Sequence, residues 1–360
     1  MADKANSTVD MGDVVRNIAL LQSPFAILGA NTHDDRRRIV ELAEAEALES
    51  NHEACQKARA DLTNPRTRLN AEIAWLPGVS PQKVVDLLAR LQCDPGAIAQ
   101  EVGLPALAHL NLLVGVLESL DAGQIAPILG TLIRRMAVRA EDLSAGSVQR
   151  FINEDRAIAG FPEIKAVDSI ESELSERKRY YRIAIRNALD RLPSATLIRV
   201  MTDVVDSVTV GGKKQAPELI DSLVDSYDVE VQGFLQAEAE NAKKLIAAAR
   251  RAAGGGEAAV QKFVEQLIAV ASNWDRVAQP IQVSTMARGI AHEPSRELAY
   301  AIRGLCLFLN NDHGMVALAQ RLTAMLQDVF AEVPDVAERV GDDAKALADI
   351  QAKRAASARR

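Results

Sequence analysis

His52 and Cys55 stand three residues apart in "NHEACQKARADL", a spacing that puts both on one face of a helix and within reach of one metal ion. A tetrahedral site needs further ligands at a matching spacing. The other histidines are His33, His109, His292 and His313, the other cysteines Cys93 and Cys306, and none of them forms a second pair. No metal is expected, and Cys55 reads as an inert thiol beside a solvated or half-buried histidine. His109, in "ALAHLNLL", reads as an ordinary helix residue, and Asp342-Asp343 as a solvated helix face. Phosphate and hydrolase motifs are missing as well. "VGGKKQAP" contains Gly-Gly-Lys but lacks the earlier glycine and the following Ser or Thr of a P-loop, and "GGGEAA" has no preceding strand. No G-x-G-x-x-G follows a strand pattern, and neither G-x-S-x-G nor H-E-x-x-H occurs. The expectation is a protein that is not an enzyme, with no catalytic residue and no cofactor.

One segment imitates a DNA-reading helix-turn-helix. In "DPGAIAQEVGLPALAHLNLLVG" residues 97–103 supply a helix and glycine turn, and 104–117 would be the reading helix. That helix carries no Lys or Arg, so it has nothing for phosphates or for the guanine edge, and packing against other helices explains it better. The formal net charge of −7 points the same way, because general binding to nucleic acid or to an anionic membrane needs basic excess. Neither nucleic acid nor membrane is expected as a partner. The polar, acidic start "MADKANSTVDMGDVV" lacks the apolar stretch of a secretory signal. With three well-separated cysteines and no C-x-x-C, the simplest home is the reducing cytoplasm.

The elements that must position any site are helical. The chain of 360 residues is 48% hydrophobic but only 4% aromatic, with Ala and Leu supplying most of the apolar mass, and this favours helix over sheet. After a loose tail at 1–11, a headpiece spans 12–78, with Thr32 or Asp34 as candidate cap of its second helix and Ser80-Pro81 restarting the chain after Pro77-Gly78. A middle region at 79–160 divides into helices near 82–92, 95–102, 104–120, 124–140 and 145–159. A long-helix region at 161–256 holds helices near 163–192 and 217–252. Between them "DSVTVGGKKQAPE" has a mild strand or loop flavour, and Gly254–Gly256 form a turn between antiparallel helices. In the C-terminal region at 257–352, Leu298, Ile302, Leu305 and Leu309 line one helix. Val316, Ala319, Leu322, Leu326 and Val329 line the next, so an αα-hairpin turns at 310–314. Residues 353–360 read as a basic tail. The architecture expected is all-α: a short headpiece followed by an elongated array of antiparallel hairpins.

Residues 24–78 resemble the J-domain of DnaJ-type co-chaperones. The likeness is carried by Phe25-Ala26-Ile27-Leu28-Gly29 at its start and by Leu62-Thr63-Asn64-Pro65-Arg66-Thr67-Arg68 at its end. It implies a small core of Phe25, Leu28, Ile39, Ala43, Ala58 and Leu62 between antiparallel helices, and a DnaK-type partner met through a His-Pro-Asp loop and a basic second helix. Here that loop reads Ser50-Asn51-His52-Glu53-Ala54. The second helix is basic only at Arg36, Arg37 and Arg38, and then carries Glu41, Glu44, Glu46 and Glu49. An acidic helix repels the acidic surface that the family's basic helix meets. The rest of the chain is similar to the uncharacterised helical, TPR-like regions behind such segments in bacterial proteins.

The functional expectation is a protein–protein scaffold or adaptor whose J-like headpiece has lost DnaK-type ATPase stimulation. The alternatives are an active co-chaperone and an enzyme with an unrecognised site. The partner expected is another protein, with a DnaK-type chaperone disfavoured. The candidate contact residues are Arg36, Arg37, Arg38 and His52 on the headpiece, and Asn310, Asn311, Asp312 and His313 at the hairpin turn.

Overall fold

The computed structural model describes residues 18–358, so the tail expected at 1–11 lies outside them. Among the described residues there are helices and turns and no strand. The chain divides into two units, Met1–Leu192 and Pro193–Arg360.

The first unit begins with α1 (Pro24–Ile27), a single turn capped by Ser23, whose Oγ accepts the Ala26 N–H at 3.1 Å. The helices α2 (Arg36–Glu46), α3 (His52–Thr63) and α4 (Pro65–Ile73) follow. The cap of α2 is Asp35, which accepts the Arg38 N–H at 2.8 Å, and not Thr32 or Asp34. Asp34 is occupied elsewhere: its Oδ2 accepts both the backbone and the side-chain N–H of Asn31, at 2.8 Å each. Asn51 caps α3 and Asn64 caps α4, where Pro65 fills a first-turn position that has no N–H to satisfy. Phe25, Leu28, Ile39, Ala43, Ala58 and Leu62 are all buried. Each contributes about 1 to 3 kcal/mol of burial, the alanines least. Phe25 also stacks on Trp75, ring centres 5.4 Å apart.

Next come α5 (Pro81–Cys93), α6 (Pro95–Ile98), α7 (Ala106–Ser119), α8 (Ala122–Ile125), α9 (Leu129–Glu141), α10 (Ala145–Ile158) and α11 (Val167–Asp190). Two expected helices are shorter than the sequence suggests. The span 95–102 is helical only to Ile98, and the span 124–140 is broken after α8, where Pro127 disfavours helix at the residue before it. Every residue of α7 from Leu107 to Leu117 is buried. That rules out α7 as a groove-reading helix and makes it the central strut of this unit. Asn111 on α7 joins three segments. Its Nδ2 donates to the carbonyls of Ile73 and Trp75, and its Oδ1 accepts Arg177 Nε–H and Tyr181 O–H, at 2.8 Å each.

The second unit contains α12 (Ser194–Thr209), α13 (Glu218–Ala252), α14 (Glu257–Ala287), α15 (Glu293–Asn311), α16 (Val316–Val329) and α17 (Pro334–Ala358). α12 is not among the helices expected from the sequence, and "DSVTVGGKKQAPE", which begins in its last turn, has a strand or loop flavour. Its β-branched residues suggest strand, but Val200, Met201, Val204 and Val205 recur at helical spacing and are buried together. The helix stops where Val210, Gly211 and Gly212 take φ of 55°, 63° and 75°. The hairpin of α13 and α14 turns at Gly254–Gly256, with Gly256 at φ 88°. Its antiparallel register is fixed by Tyr227 O–H to the Val277 carbonyl at 2.9 Å and by Ser284 O–H to Asp221 at 3.2 Å. The expected apolar residues of α15 and α16 are buried. Gly314, at φ 64°, closes their turn: its N–H and that of Met315 reach back to the carbonyls of Asn310 and Leu309. The basic segment after 353 continues α17 as far as Ala358.

Candidate functional site

The headpiece candidates do not form one surface. Arg36, Arg37 and Arg38 lie at the start of α2, while His52 is the first residue of α3. The two helices pack against each other across the short link 47–51, so these starts lie at opposite ends of the pair. They are separated by about 15 Å, the length of α2. Glu41 accepts hydrogen bonds from both Arg37 (3.0 Å) and Arg38 (3.4 Å), and Arg36 lies over the Phe161 ring at 5.2 Å. His52 is exposed whereas Cys55 is fully buried beside Ser50, so the two diverge from their shared face. At the other candidate turn, Asn310 donates to Asn311 at 2.8 Å, and His313 packs edge-on against Phe308 at 4.8 Å.

What the headpiece does assemble is a buried ion cluster. Glu72 accepts Arg68 Nε–H at 2.7 Å and Arg156 Nε–H at 2.9 Å, and Arg156 Nη2 lies 2.8 Å from it as an ion pair. The rest of each guanidinium goes to backbone carbonyls: Arg68 to Leu62 and Thr32, Arg156 to Pro65 and Pro162. Arg68 also lies 3.9 Å over the Phe161 ring. Burial raises the Glu72 carboxyl above its ordinary range and lowers Arg68, and each shift is opposed by the partner's charge. Beside the cluster, Asp155 joins His33 Nε2 at 3.0 Å and accepts the Gly78 N–H at 3.4 Å. The guanidiniums of this cluster are spent on partners inside the unit, so it fastens segments together and leaves little to offer a ligand.

A different arrangement occupies the second unit. A groove of about 640 Å³ runs between α13 and α15 over Trp274 of α14. On α13 the lining residues Asp228, Gln232, Leu235, Ala239 and Lys243 recur at three- and four-residue steps, and on α15 Glu293, Glu297, Leu298 and Ala301 face them. Leu235, Leu298 and Trp274 are buried apolar floor. Four carboxylates, Asp228, Glu240, Glu293 and Glu297, line the groove against one ammonium, Lys243. Lys243 is held by Glu240 at 2.8 Å and Glu293 by Arg296 at 2.9 Å. Among the described residues no basic side chain bonds Asp228 or Glu297.

One end of the groove carries a serine beside a histidine. Ser295 Oγ accepts Trp274 Nε1–H at 3.2 Å and Gln282 Nε2–H at 2.8 Å, so its own proton goes to His292 Nδ1 at 2.7 Å. Compared with known proteins, the chain matches no family model, no curated protein and no solved structure. The pair must therefore be judged by its geometry. A nucleophilic serine has to face its substrate, and Ser295 is 0% exposed with both lone pairs taken. The bond instead fixes His292 as the Nε2–H tautomer, and burial lowers its pKa and keeps it neutral. His292 thus presents one N–H donor at the end of an apolar, acid-edged groove. Among the described residues no group of three or more His, Cys, Asp or Glu stands together to hold a metal ion. Likewise no helix there is long and apolar enough to cross a membrane.

Neither assembly is among the sites expected from the sequence. A signal for the groove did exist, in the stripe Asp228, Gln232, Leu235, Ala239, Lys243, whose mixed polarity marks a helix face that is neither core nor plain solvent side. The ion cluster had a weaker one, Arg68 and Glu72 at i, i+4.

Proposed function

We propose that this chain is a non-enzymatic protein-binding scaffold or adaptor that works through the groove of its second unit. The observation that carries the reading is the groove: a long, open trough with an apolar floor and polar edges has the make-up of a protein-binding surface. The burial of Ser295 adds support, since the one serine hydroxyl bonded to a histidine beside the trough is 0% exposed and does not face a substrate. Affinity capture of the full chain from native cells, with cross-linking and mass spectrometry, is expected to return a stoichiometric protein partner with cross-links to residues 228–243 or 293–301. Repeated recovery of the chain alone overturns the reading.

We further propose that the J-like headpiece no longer stimulates a DnaK-type ATPase. In support, Arg37 and Arg38 share Glu41, and His52 is about 15 Å from them. The purified chain is expected to leave the ATP turnover of a DnaK-type protein unchanged. A stimulation abolished by His52→Gln would restore the co-chaperone reading.

A further inference from the structure

We infer that the groove between α13 and α15 receives a single amphipathic helix of a partner protein, apolar along one face and basic along its flanks. This rests on the scaffold reading and names the class of partner. The lining residues of α13 run from Asp228 to Lys243. At 1.5 Å per residue that is a trough of about 22 Å, or four turns of a docked helix. The floor supplies what the apolar face of such a helix needs, because Leu235, Leu298 and Trp274 line the trough and are buried. The edges select its flanks. Lys243 is bonded to Glu240 and acts on Glu297 through space, and Arg296 is bonded to Glu293, so one ammonium is shared between two carboxylates while Asp228 has no basic side chain bonded to it, and both walls are acidic. Four carboxylates against one ammonium, with acidic groups on both walls, favour Lys or Arg on both flanks of the incoming helix and repel an acidic one. His292 Nε2–H, with its tautomer set by Ser295, adds one donor at the end of the trough for an acceptor at the partner's terminus. A helix C-terminus, whose last carbonyls lack partners, is the natural match.

The test uses the full chain and a synthetic peptide of about 16 residues, the length of the trough. It carries Leu at i, i+4, i+7 and i+11 and Lys on the flanks, and a control has Glu in place of each Lys. Calorimetry is expected to show binding of the Lys peptide and none of the Glu peptide. Affinity should fall about tenfold in the double variant Asp228→Lys, Glu297→Lys, and fall again as ionic strength rises above about 0.15 M. Ala239→Arg, which fills the trough, should abolish binding while circular dichroism shows the helices retained. Equal binding of both peptides, no binding of either, or indifference to these variants overturns the inference. Its failure is separable from that of the scaffold reading. A native partner whose capture survives Ala239→Arg removes the groove and keeps the scaffold, whereas no captured partner removes the scaffold.

Discussion

Glu72 lies 2.8 Å from Nη2 of Arg156, 84 residues further along the chain, and both side chains are almost wholly enclosed. Removing one member of such a group leaves buried charge unpaired. Glu72→Gln keeps the shape but strands Arg68 and Arg156, and is expected to destabilise the first unit by about 3 to 5 kcal/mol. Denaturant unfolding followed by Trp75 fluorescence in a Trp274→Phe background reads this unit, because the chain has only two tryptophans. A loss under about 1 kcal/mol would show that the cluster is not held as described.

Asn111 is expected to be as sensitive without carrying a charge. Asn111→Leu leaves Tyr181 O–H, Arg177 Nε–H and the carbonyls of Ile73 and Trp75 without their buried partner. The expected loss is about 2 to 4 kcal/mol in the same fluorescence assay. Tyr181→Phe removes one donor and should cost only about 1 kcal/mol. Equal losses in the two variants would contradict the hub arrangement.

Two titratable groups, one half-buried and one buried, predict opposite pH dependences. Asp275 is pushed up to about 7, first by burial and then by Glu332 and Asp328. Between its ordinary 3.8 and 7 the folded state keeps a proton that the unfolded chain releases, so stability falls as pH rises through this window. Asp275→Asn should therefore raise the melting temperature at pH about 8 and change it little at pH about 4. Discounted for the partial exposure of the side chain, the gain is about 1 to 2 kcal/mol. A gain independent of pH would sink the account.

His109 behaves in the reverse sense. Burial, then Arg135 and Arg139, lower it to about 4 from 6.5, and neither ring nitrogen has a hydrogen-bond partner among the described residues. Between these values the unfolded chain takes up a proton that the folded state refuses, so stability is lost as pH falls from 6.5 towards 4. His109→Leu should remove that slope and raise the melting temperature most at pH about 5, where the difference in bound protons is large. A melting temperature that still drops over this range in the variant would assign the slope to other groups.

Some of this was legible in the sequence and some was not, for physical reasons. Helix type and most helix bounds follow from three- and four-residue apolar spacing. In α15 and α16 every residue that the pattern picks out is buried. The break before α9 depends on Pro127 and could have been read. α12 was hidden because Val and Thr carry strand preference, and tertiary burial overrode it. The site residues were legible only where they share one helix. The Glu72–Arg156 and His33–Asp155 pairs join residues 84 and 122 positions apart, and no local periodicity encodes such meetings. The groove depends on how far α13 and α15 stand from each other, which sequence spacing on either helix does not state. His52 was conspicuous as a lone histidine in a familiar frame, and the structure puts it on open surface at a helix start.

The same ion cluster bears on modularity. A stretch that can be recognised by eye in a sequence need not be transferable. A fragment cut after Gly78 keeps Arg68 and Glu72 but leaves behind Arg156, Asp155 and Phe161, and with them the second cation, the partner of His33 and the nearer of the two rings at Arg68. Grafted onto another protein, or expressed by itself, the headpiece would carry a half-finished interior. Carried through to Phe161, the same segment would keep the cation and the ring that complete it.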